Sequence, residues 1–285
     1  MRLARPVADG QPGVAAVEIE HFDADGVERQ RDVVTVEEPL EIRVVHGTAD
    51  ERAESSVAVT MRTPGDDEAL ALGFLFTEGV ITGFGDVAGI HADAEENVID
   101  VELAPRVDYD ARLHMRHVYT TSSCGVCGKA SLDAVRVQVP DYAGSDAFAV
   151  EPAVLRALPA ALRARQAEFL RTGGLHASAM FDPSGQIVGV AEDVGRHNAL
   201  DKLVGRALAG GELPLHERGL LFSGRASFEL IQKAAMAGCP FVAAIGPPSS
   251  LAVELAAEQR ITLVGFLRDG QGNIYTLPHR LRREG

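Results

Sequence analysis

Residues 220–267 read LLFSGRASFELIQKAAMAGCPFVAAIGPPSSLAVELAAEQRITLVGFL, and this stretch decides the fold class. Short apolar runs predict strands, and the longer segments between them predict helices, the first of which ends at a glycine. The predicted elements follow one another as Leu220–Phe222, Ala226–Gly238, Phe241–Ile245, Leu251–Gln259 and Ile261–Leu267. This alternation predicts βαβαβ connections, and therefore parallel strands with helices packed on the faces of the sheet.

The same α/β pattern begins before residue 220. Leu175–Phe181 and Ile187–Glu192 have the composition of strands, and Asn198–Leu208 that of a helix. Pro152–Leu170 predicts one further helix, which Pro159 interrupts. Leu113–Thr121 and Ala130–Val137 predict another strand and helix, so residues 113–285 form the predicted α/β domain.

Residues 1–112 have a different pattern, which predicts a smaller, meandering α+β domain. A turn at 23–26 separates two strands, and Thr63–Asp67 opens a helix that has acidic residues in its first turn and ends at Gly79. The predicted strands are Val14–Phe22, Val27–Val36, Leu40–His46, Ser56–Arg62 and Asn97–Leu103.

Composition limits the classes of function that this chain can have. Its formal net charge of −14 opposes non-specific binding to nucleic acid. It contains no apolar run long enough to span a bilayer, and its first six residues lack the apolar stretch of a signal peptide. Three cysteines are too few for a disulfide framework, so we expect a cytoplasmic protein in a reducing environment.

Two of the three cysteines form the sequence SCGVCGK at residues 123–129. A structural zinc site needs four ligands, and the chain has only one Cys-x-x-Cys pair. A zinc deaminase needs H-x-E and P-C-x-x-C, and the chain has neither. We therefore predict no metal site. Thiol chemistry at Cys124 and Cys127 remains, with two buried structural cysteines as the alternative.

The position of the pair favours thiol chemistry. Cys124 lies between a predicted strand and a predicted helix, and a helix N-terminus lowers the pKa of a nearby thiol. Lys129 adds a positive charge, and Gly125 and Gly128 allow a partner molecule to approach the sulfur. A thiolate at this position can attack a disulfide or a persulfide.

Two polar loops follow predicted strands, where open α/β sheets place their functional groups. The loop at 192–198 contains Arg196 and His197, which either serve the function or lie on a surface turn, and Asn198, which can cap the next helix. The loop at 223–227 contains Ser223, Arg225 and Ser227 before a helix, which suits phosphate binding. Pro247–Ser250 is explained equally well by a helix cap.

The last predicted strand ends in a third candidate loop. Its spacing favours a plain hairpin with Asp269-Gly270 as its corner and Ile274–Leu277 as the returning strand. The alternative is a nucleotide site made from an apolar platform, a cation and an open backbone. That site would consist of Phe266, Leu267, Arg268, Asp269, Gly270 and Gln271. The glycine corner at 173–176, with His176, is more typical of a structural turn.

Taken together, these motifs resemble the formate dehydrogenase accessory sulfurtransferases of the FdhD/NarQ family. Met61–Asp66 and Gly73–Gly79 resemble the N-terminal half of that family. The other motifs that carry the resemblance are Cys124–Lys129, Gly173–Ala177, Glu192–Asn198, Ser223–Ser227 and Ser249–Ala252. The resemblance covers nearly the whole chain, and the order of the motifs makes it specific.

The resemblance implies a sulfur carrier whose main domain is a cytidine-deaminase-like three-layer α/β sandwich. A cysteine desulfurase would load sulfur on Cys124 as a persulfide, with Cys127 as the relaying or resolving partner. The sulfur would pass to Mo-bis(molybdopterin guanine dinucleotide), a bound substrate rather than a resident cofactor, before formate dehydrogenase receives it. By the same resemblance, residues 266–271 would bind this cofactor. The resemblance therefore favours a nucleotide site at these residues over a plain hairpin without a function.

Other expectations follow from the chemistry of such a substrate. Its pyrophosphates require local cations and helix N-termini on an acidic protein, which suits Ser223, Arg225, Ser227, Arg196 and His197. Its two guanine nucleotide ends predict a homodimer or a bivalent groove. The alternatives are a non-catalytic cofactor chaperone and a thioredoxin-like dithiol reductase.

Overall fold

The structure, a computed structural model, describes residues 13–48, 50–110, 137–142 and 148–282. The pair Cys124 and Cys127 lies outside the described residues, as do the predicted strand Leu113–Thr121 and all of the predicted helix Ala130–Val137 except Val137. None of the helices that the structure describes has the length and apolar character needed to cross a membrane.

Twelve strands and six α-helices occur in the described part of the chain. The strands are β1 Val14–Asp23, β2 Gly26–Thr35, β3 Glu38–Gly47, β4 Arg52–Arg62, β5 Val87–Asp93, β6 Val98–Leu103, β7 His176–Phe181, β8 Ile187–Asp193, β9 Gly219–Phe222, β10 Phe241–Ala244, β11 Thr262–Arg268 and β12 Gln271–Ile274. The helices are α1 Asp67–Thr77, α2 Pro152–Arg163, α3 Ala167–Thr172, α4 Arg196–Ala209, α5 Phe228–Met236 and α6 Ser250–Glu258.

The main sheet has six strands in the order β12-β11-β10-β9-β7-β8. Its centre, β9-β10-β11, is parallel, which confirms the prediction from residues 220–267. The strands on either side, β7, β8 and β12, pair in antiparallel fashion. Because β9, β10 and β11 run in the same direction, the loops that follow them meet at one edge of the sheet, here called the carboxyl edge.

Alternate residues of the central strands pack on opposite faces of this sheet. Leu220 and Phe222 belong to the core that contains α4, α5 and α6, whereas Leu221 packs with residues of α2 on the other face. Both faces are therefore covered by helices, and the strands read as continuous apolar runs, as buried parallel strands do.

The first part of the chain contributes a four-stranded sheet in the order β4-β3-β6-β5 and a separate β1–β2 hairpin. Strands β3 and β6 are parallel, so the prediction of a simple meander is wrong. Apolar residues of this sheet and of α1 belong to the same core as α4 and α5. The boundary at residue 112 stays a prediction, since it adjoins the undescribed residues 111–136.

The prediction of one helix over Pro152–Leu170, interrupted at Pro159, is also wrong. The helix α2 continues through Pro159, and the break lies at 164–166, before α3. An interior proline removes one hydrogen bond of the helix and its ring crowds the carbonyl four residues earlier, but neither cost ends the helix here. Leu155, Leu158 and Leu162 form one buried apolar face of α2, which holds the helix on the sheet.

Candidate functional site

Three loops at the carboxyl edge are joined by backbone hydrogen bonds. The amide of Gly246, after β10, donates to the carbonyl of Gly224, after β9, over 2.9 Å. The amide of Phe266, in β11, donates in turn to the carbonyl of Gly246 over 3.0 Å. A Cβ atom on Gly246 would lie only 2.9 Å from the Gly224 oxygen, so this junction requires glycine. The structure thus places two of the predicted loops side by side.

Within the first loop, Ser223 and Ser227 have different surroundings. The hydroxyl oxygen of Ser223 accepts a hydrogen bond of 2.8 Å from the amide of Ala177 and so ties the loop to β7. Ser227 is the N-cap residue of α5, and its hydroxyl lies 3.5 Å from Nε2 of His197. Arg225 is exposed. The loop therefore presents one cation and one hydroxyl, and Ser223 serves the scaffold.

The turn that carries Arg196 and His197 is anchored by Asp193, which is fully buried. The Asp193 carboxylate accepts hydrogen bonds from the amides of Gly195 and Thr63, at 2.8 and 3.1 Å. Its counter-ion is Lys202, whose Nζ lies 2.7 Å away and also donates to the carbonyl of Thr63. The buried charge is thus fully paired, as burial requires.

Asn198 does not cap α4, contrary to one sequence interpretation, because Gly195 occupies the N-cap position. The side-chain amide of Asn198 instead donates to the carbonyl of Met61 and to Asp193, at 2.8 and 3.1 Å. Its side-chain oxygen accepts from the hydroxyl of Thr60 over 3.1 Å. The motif at 192–198 is thereby fixed to the motif that begins at Met61, although the two are far apart in sequence.

His197 and Glu229 are neighbours at the start of α4 and α5. Nε2 of His197 lies 3.9 Å from the Glu229 carboxylate, and 36% of the His197 side chain is exposed. Burial, followed by the positive charges of Lys233 and Arg196, lowers the pKa of His197 to about 4. The imidazole is therefore uncharged at neutral pH. Glu229 was not singled out from the sequence, although its position two residues after Ser227 points to the same helix end.

Arg196 and His176 complete this side of the site. The Nε atom of Arg196 is buried and has no hydrogen-bond partner among the described residues. The His176 ring lies beside Gly224, within 3.5 Å of where a Cβ would be. Burial and the nearby Arg196 charge lower the pKa of His176. Sequence reasoning treated His176 as structural, but the structure places it at the carboxyl edge.

The segment 266–271 contains the predicted hairpin turn between β11 and β12, with Arg268 paired to Gln271. The returning strand is Gln271–Ile274 and not the predicted Ile274–Leu277, because pairing resumes directly after the two-residue turn. Asp269 and Gly270 both have positive φ, 52° and 73°, as a two-residue hairpin turn requires. Phe266 also has a positive φ of 55°, which is rare for a bulky residue, and it lies at a bulge. Such an outlier is typical of functional sites.

A pocket of about 240 Å³ opens on this hairpin, and it is lined by Phe266, Arg268, Gln271, Gly272 and Asn273. The guanidinium of Arg268 lies 5.8 Å from the centre of the Phe266 ring, which forms an aromatic surface beside a cation. Leu267 is only 2% exposed and packs in the core, so its side chain does not face the pocket. The hairpin and the apolar platform, which the sequence analysis gave as alternatives, therefore occur together in this segment.

The structure connects some predicted residues directly and leaves others apart. Ser227 contacts His197, and the backbone links the loop at 223–227 to Phe266 through Gly246. Among the described residues, no hydrogen bond or ion pair joins Arg225 or Arg268 to His197, Ser227 or Glu229. The candidate site is therefore the carboxyl edge of the main sheet, where the arginine side chains stand apart from one another. The N-termini of α4 and α5 also lie there, and neither has a side-chain cap.

Comparison with known proteins identifies the family. The model of the FdhD/NarQ family matches residues 35–282, so this chain belongs to the FdhD/NarQ family. The chain is 52% identical over 264 residues to "Sulfur carrier protein FdhD" of Streptomyces avermitilis, covering 90% of this chain and 91% of that protein. A protein of the same name from Saccharolobus solfataricus is 41% identical and covers 93% of this chain and 99% of its own.

A solved structure has the same fold. The crystal structure of a protein from Desulfotalea psychrophila, assigned as a formate dehydrogenase accessory protein, aligns with a TM-score of 0.72. The alignment covers 95% of this chain and all of that chain, at 22% identity. The mixed α/β architecture is therefore shared.

Proposed function

We propose that this protein is a sulfur carrier that takes sulfane sulfur from a cysteine desulfurase as a persulfide on Cys124. The sulfur passes to Mo-bis(molybdopterin guanine dinucleotide), held as a substrate at the carboxyl edge, before the cofactor enters formate dehydrogenase. Cys127 relays or resolves the persulfide. Family membership supports this proposal, since relatives that match most of the chain are named sulfur carriers.

The observation that carries the proposal is the convergence of the cationic loops at one sheet edge. Arg196, Arg225 and Arg268 lie near the N-termini of α4 and α5 or beside the Phe266 platform, on a protein whose net charge is −14. Local arginines and helix N-termini suit pyrophosphate, and an aromatic surface suits a guanine base. An acidic protein can bind such an anion only where cations are gathered.

The cysteines enter this proposal through sequence position. Val137, ten residues after Cys127, donates its amide hydrogen to the side-chain oxygen of Gln232 in α5 over 3.1 Å. Helix α5 begins at the carboxyl edge, next to Ser227. Val137 is thus tied by its backbone to a helix that begins at the carboxyl edge.

Three finer expectations are part of the same proposal. The helices on both faces of the main sheet support a cytidine-deaminase-like sandwich. The two nucleotide ends of the substrate favour a homodimer in which each protomer holds one end. The third expectation is a cytoplasmic location, because three cysteines without a disulfide framework suit a reducing compartment.

The decisive experiment locates the sulfur. The protein is incubated with a cysteine desulfurase and cysteine, and peptide mass spectrometry then looks for one added sulfur atom. We expect it on Cys124, absent in Cys124→Ser and present in Cys239→Ala. Cys239 is the matched control because burial raises the pKa of its thiol to about 12, and it donates to the carbonyl of Phe241. A sulfur atom on Cys239 alone contradicts the proposal.

A second experiment separates the carrier from a non-catalytic chaperone. The carrier loses support of formate dehydrogenase in Cys124→Ser but still binds guanosine diphosphate, whereas a chaperone retains both. Arg225→Gln should weaken nucleotide binding by about tenfold to a hundredfold, since charge-assisted hydrogen bonds contribute roughly 1.5–3 kcal/mol. Arg29→Gln, on the exposed β2, is the matched control. Equal affinity of the two variants contradicts this placement of the nucleotide.

A further inference from the structure

A groove of about 700 Å³, here called the α1–α4 groove, lies between the start of α1, the last turn of α4 and the end of β5. Its surface is mainly apolar, and most of the side chains that form its floor are small. These floor residues are Ala69, Leu72, Ala92, Ala94, Gly205 and Ala209. A floor of this kind leaves space for the larger apolar side chains of a docked segment.

The walls of the α1–α4 groove are held together by Arg62, which is only 2% exposed. Its guanidinium donates to the Asp67 carboxylate, at the start of α1, through two hydrogen bonds of 3.0 and 2.9 Å. It also donates to the side-chain oxygen of Asn97, before β6, over 2.7 Å, and lies 3.5 Å from the Glu38 carboxylate. Because one buried cation joins three parts of the chain, the groove is formed before any segment binds.

The charges that line the groove are not balanced. The carboxylates are those of Glu38, Asp66, Asp67 and Glu68, and the guanidiniums are those of Arg62 and Arg206. Each guanidinium forms an ion pair with one carboxylate, that of Asp67 or that of Asp66. The Glu38 side chain is 46% exposed, and Glu68 has no hydrogen-bond or ion-pair partner among the described residues. The groove therefore has an excess of two negative charges, which suits a segment with two cations.

The first residues of this chain have the matching composition. Residues 1–12 precede the described part of the chain and read MRLARPVADGQP. Arg2 and Arg5 alternate with apolar residues, and residues 2–7 contain no acidic side chain, although the whole chain has a net charge of −14. Two guanidiniums thus correspond to two excess carboxylates, and the apolar side chains between them correspond to the apolar floor.

The described part of the chain begins next to the α1–α4 groove. A Cβ on Gly13 would lie 2.9 Å from the side chain of Thr63 and 2.8 Å from the Glu168 carboxylate. The two residues that follow Thr63 in the chain line the groove. Val7 is six residues before Gly13, and six extended residues span about 20 Å. Residues 2–7 are therefore connected closely enough to reach the groove.

We propose that residues 2–7 of this chain bind in the α1–α4 groove, with Arg2 and Arg5 paired to Glu38 and Glu68. The bound segment covers the loop at 64–66, which continues from the Thr63 anchor. The family model matches only from residue 35, so this docking is a property of the chain's own N-terminal extension. It is independent of the proposed sulfur transfer, and its test needs neither desulfurase nor nucleotide.

The test locates the segment by photo-crosslinking in the full-length protein, with p-benzoylphenylalanine in place of Leu3. After irradiation, peptide mass spectrometry should find the cross-link on peptides from the start of α1 or the last turn of α4. Irradiation of a mixture of isotopically labelled and unlabelled protein should give cross-links within one chain only. Cross-links between labelled and unlabelled chains would assign the groove to a second copy and overturn the proposal, as would cross-links only outside the groove.

Neutralising the groove tests the role of charge. Glu38→Gln combined with Glu68→Gln should lower the yield of the cross-link by about threefold to tenfold, because two exposed ion pairs are lost. This variant keeps the buried pair of Arg62 with Asp67, so the walls of the groove stay in place. Arg2→Gln combined with Arg5→Gln should lower the yield by a similar factor.

The matched control is Glu217→Gln combined with Glu254→Gln, which changes the net charge equally at two exposed positions outside the groove. Its cross-link yield should equal that of the protein with both glutamates intact. Equal yields in the groove variant and in this control would overturn the proposal, and so would an unchanged yield after neutralisation of Arg2 and Arg5.

Discussion

Gly73 in α1 and Gly205 in α4 lie against each other where the two helices cross. A Cβ on Gly73 would overlap the backbone carbonyl of Asp201, and one on Gly205 would overlap that of Ala69. The helix backbones are therefore in direct contact. This crossing joins the first part of the chain to the helices that carry the candidate site.

Gly73→Ala should destabilise the protein by about 2–4 kcal/mol, because the added methyl group meets rigid backbone and the helices must separate. Urea denaturation monitored by circular dichroism measures the change. Gly83→Ala is the matched control, since Gly83 is extended, with φ −177°, and has no atom within 4 Å of its Cβ position. Similar stabilities for the two variants would contradict close packing at this crossing.

Asp193→Asn should destabilise the protein by about 3–5 kcal/mol, because it leaves the buried ammonium of Lys202 without its counter-ion. The double variant Asp193→Asn with Lys202→Met should recover part of this loss. Glu20→Gln, which removes an exposed ion pair with Arg29 on the β1–β2 hairpin, should change stability little. If Asp193→Asn is as stable as Glu20→Gln, the buried anchor described above is wrong.

Phe266→Gly and Phe266→Ala separate the strain at this residue from its ring. Both remove the aromatic surface, so both should weaken binding of guanosine diphosphate. Only glycine relieves the positive φ of 55°, so Phe266→Gly should be about 1 kcal/mol more stable than Phe266→Ala. Thermal denaturation and calorimetric titration measure the two effects. Greater stability of the alanine variant would exclude strain at this position.

His197→Gln should reduce the loss of stability on acidification. The pKa of His197 falls from 6.5 to about 4 on folding, so between these values the unfolded chain binds a proton that the folded protein does not. The stabilisation is complete above pH 6.5 and is lost as the pH falls toward 4. Urea denaturation at pH 7 and pH 5 should show a smaller decrease for His197→Gln than for the wild type.

Asp201→Asn serves as a control for that experiment, because the expected change in the pH dependence of stability has the opposite sign. The pKa of Asp201 rises on folding from 3.8 to about 6, so the folded protein gains stability from this group as the pH falls through 6. Removing the carboxyl group should make the loss of stability on acidification steeper than in the wild type. A change of the same sign in both variants would contradict the assignment of these two groups.

The central sheet could be predicted from the sequence because strands buried on both faces read as uninterrupted apolar runs. Its centre and the hairpin at Asp269-Gly270 are confirmed. The continuation of α2 through Pro159 could not be predicted, because tertiary packing of Leu155, Leu158 and Leu162 overrides the cost of one proline. The parallel pairing of β3 with β6 likewise depends on contacts distant in sequence.

Within the site, local patterns located the polar loops but not their partners. Arg196, His197, Arg225 and Ser227 were found because polar residues follow apolar runs. Glu229 and the link from Asn198 to Met61 were missed, since they depend on how helices and strands meet in space. The roles of Cys124 and Cys127 stay predictions.

The anchor formed by Asp193, Lys202 and Thr63 also bears on how such sequences can diverge. A substitution that removes one of the two charges leaves the other buried without a counter-ion. A change at either position is therefore tolerated only together with a change at the other. Thr63 takes part through its main chain, which both charged side chains contact. The Thr63 hydroxyl also accepts a hydrogen bond from the amide of Val194, so both the backbone and the side chain of this residue are fixed, and Asp193 and Lys202 should be inherited or lost together.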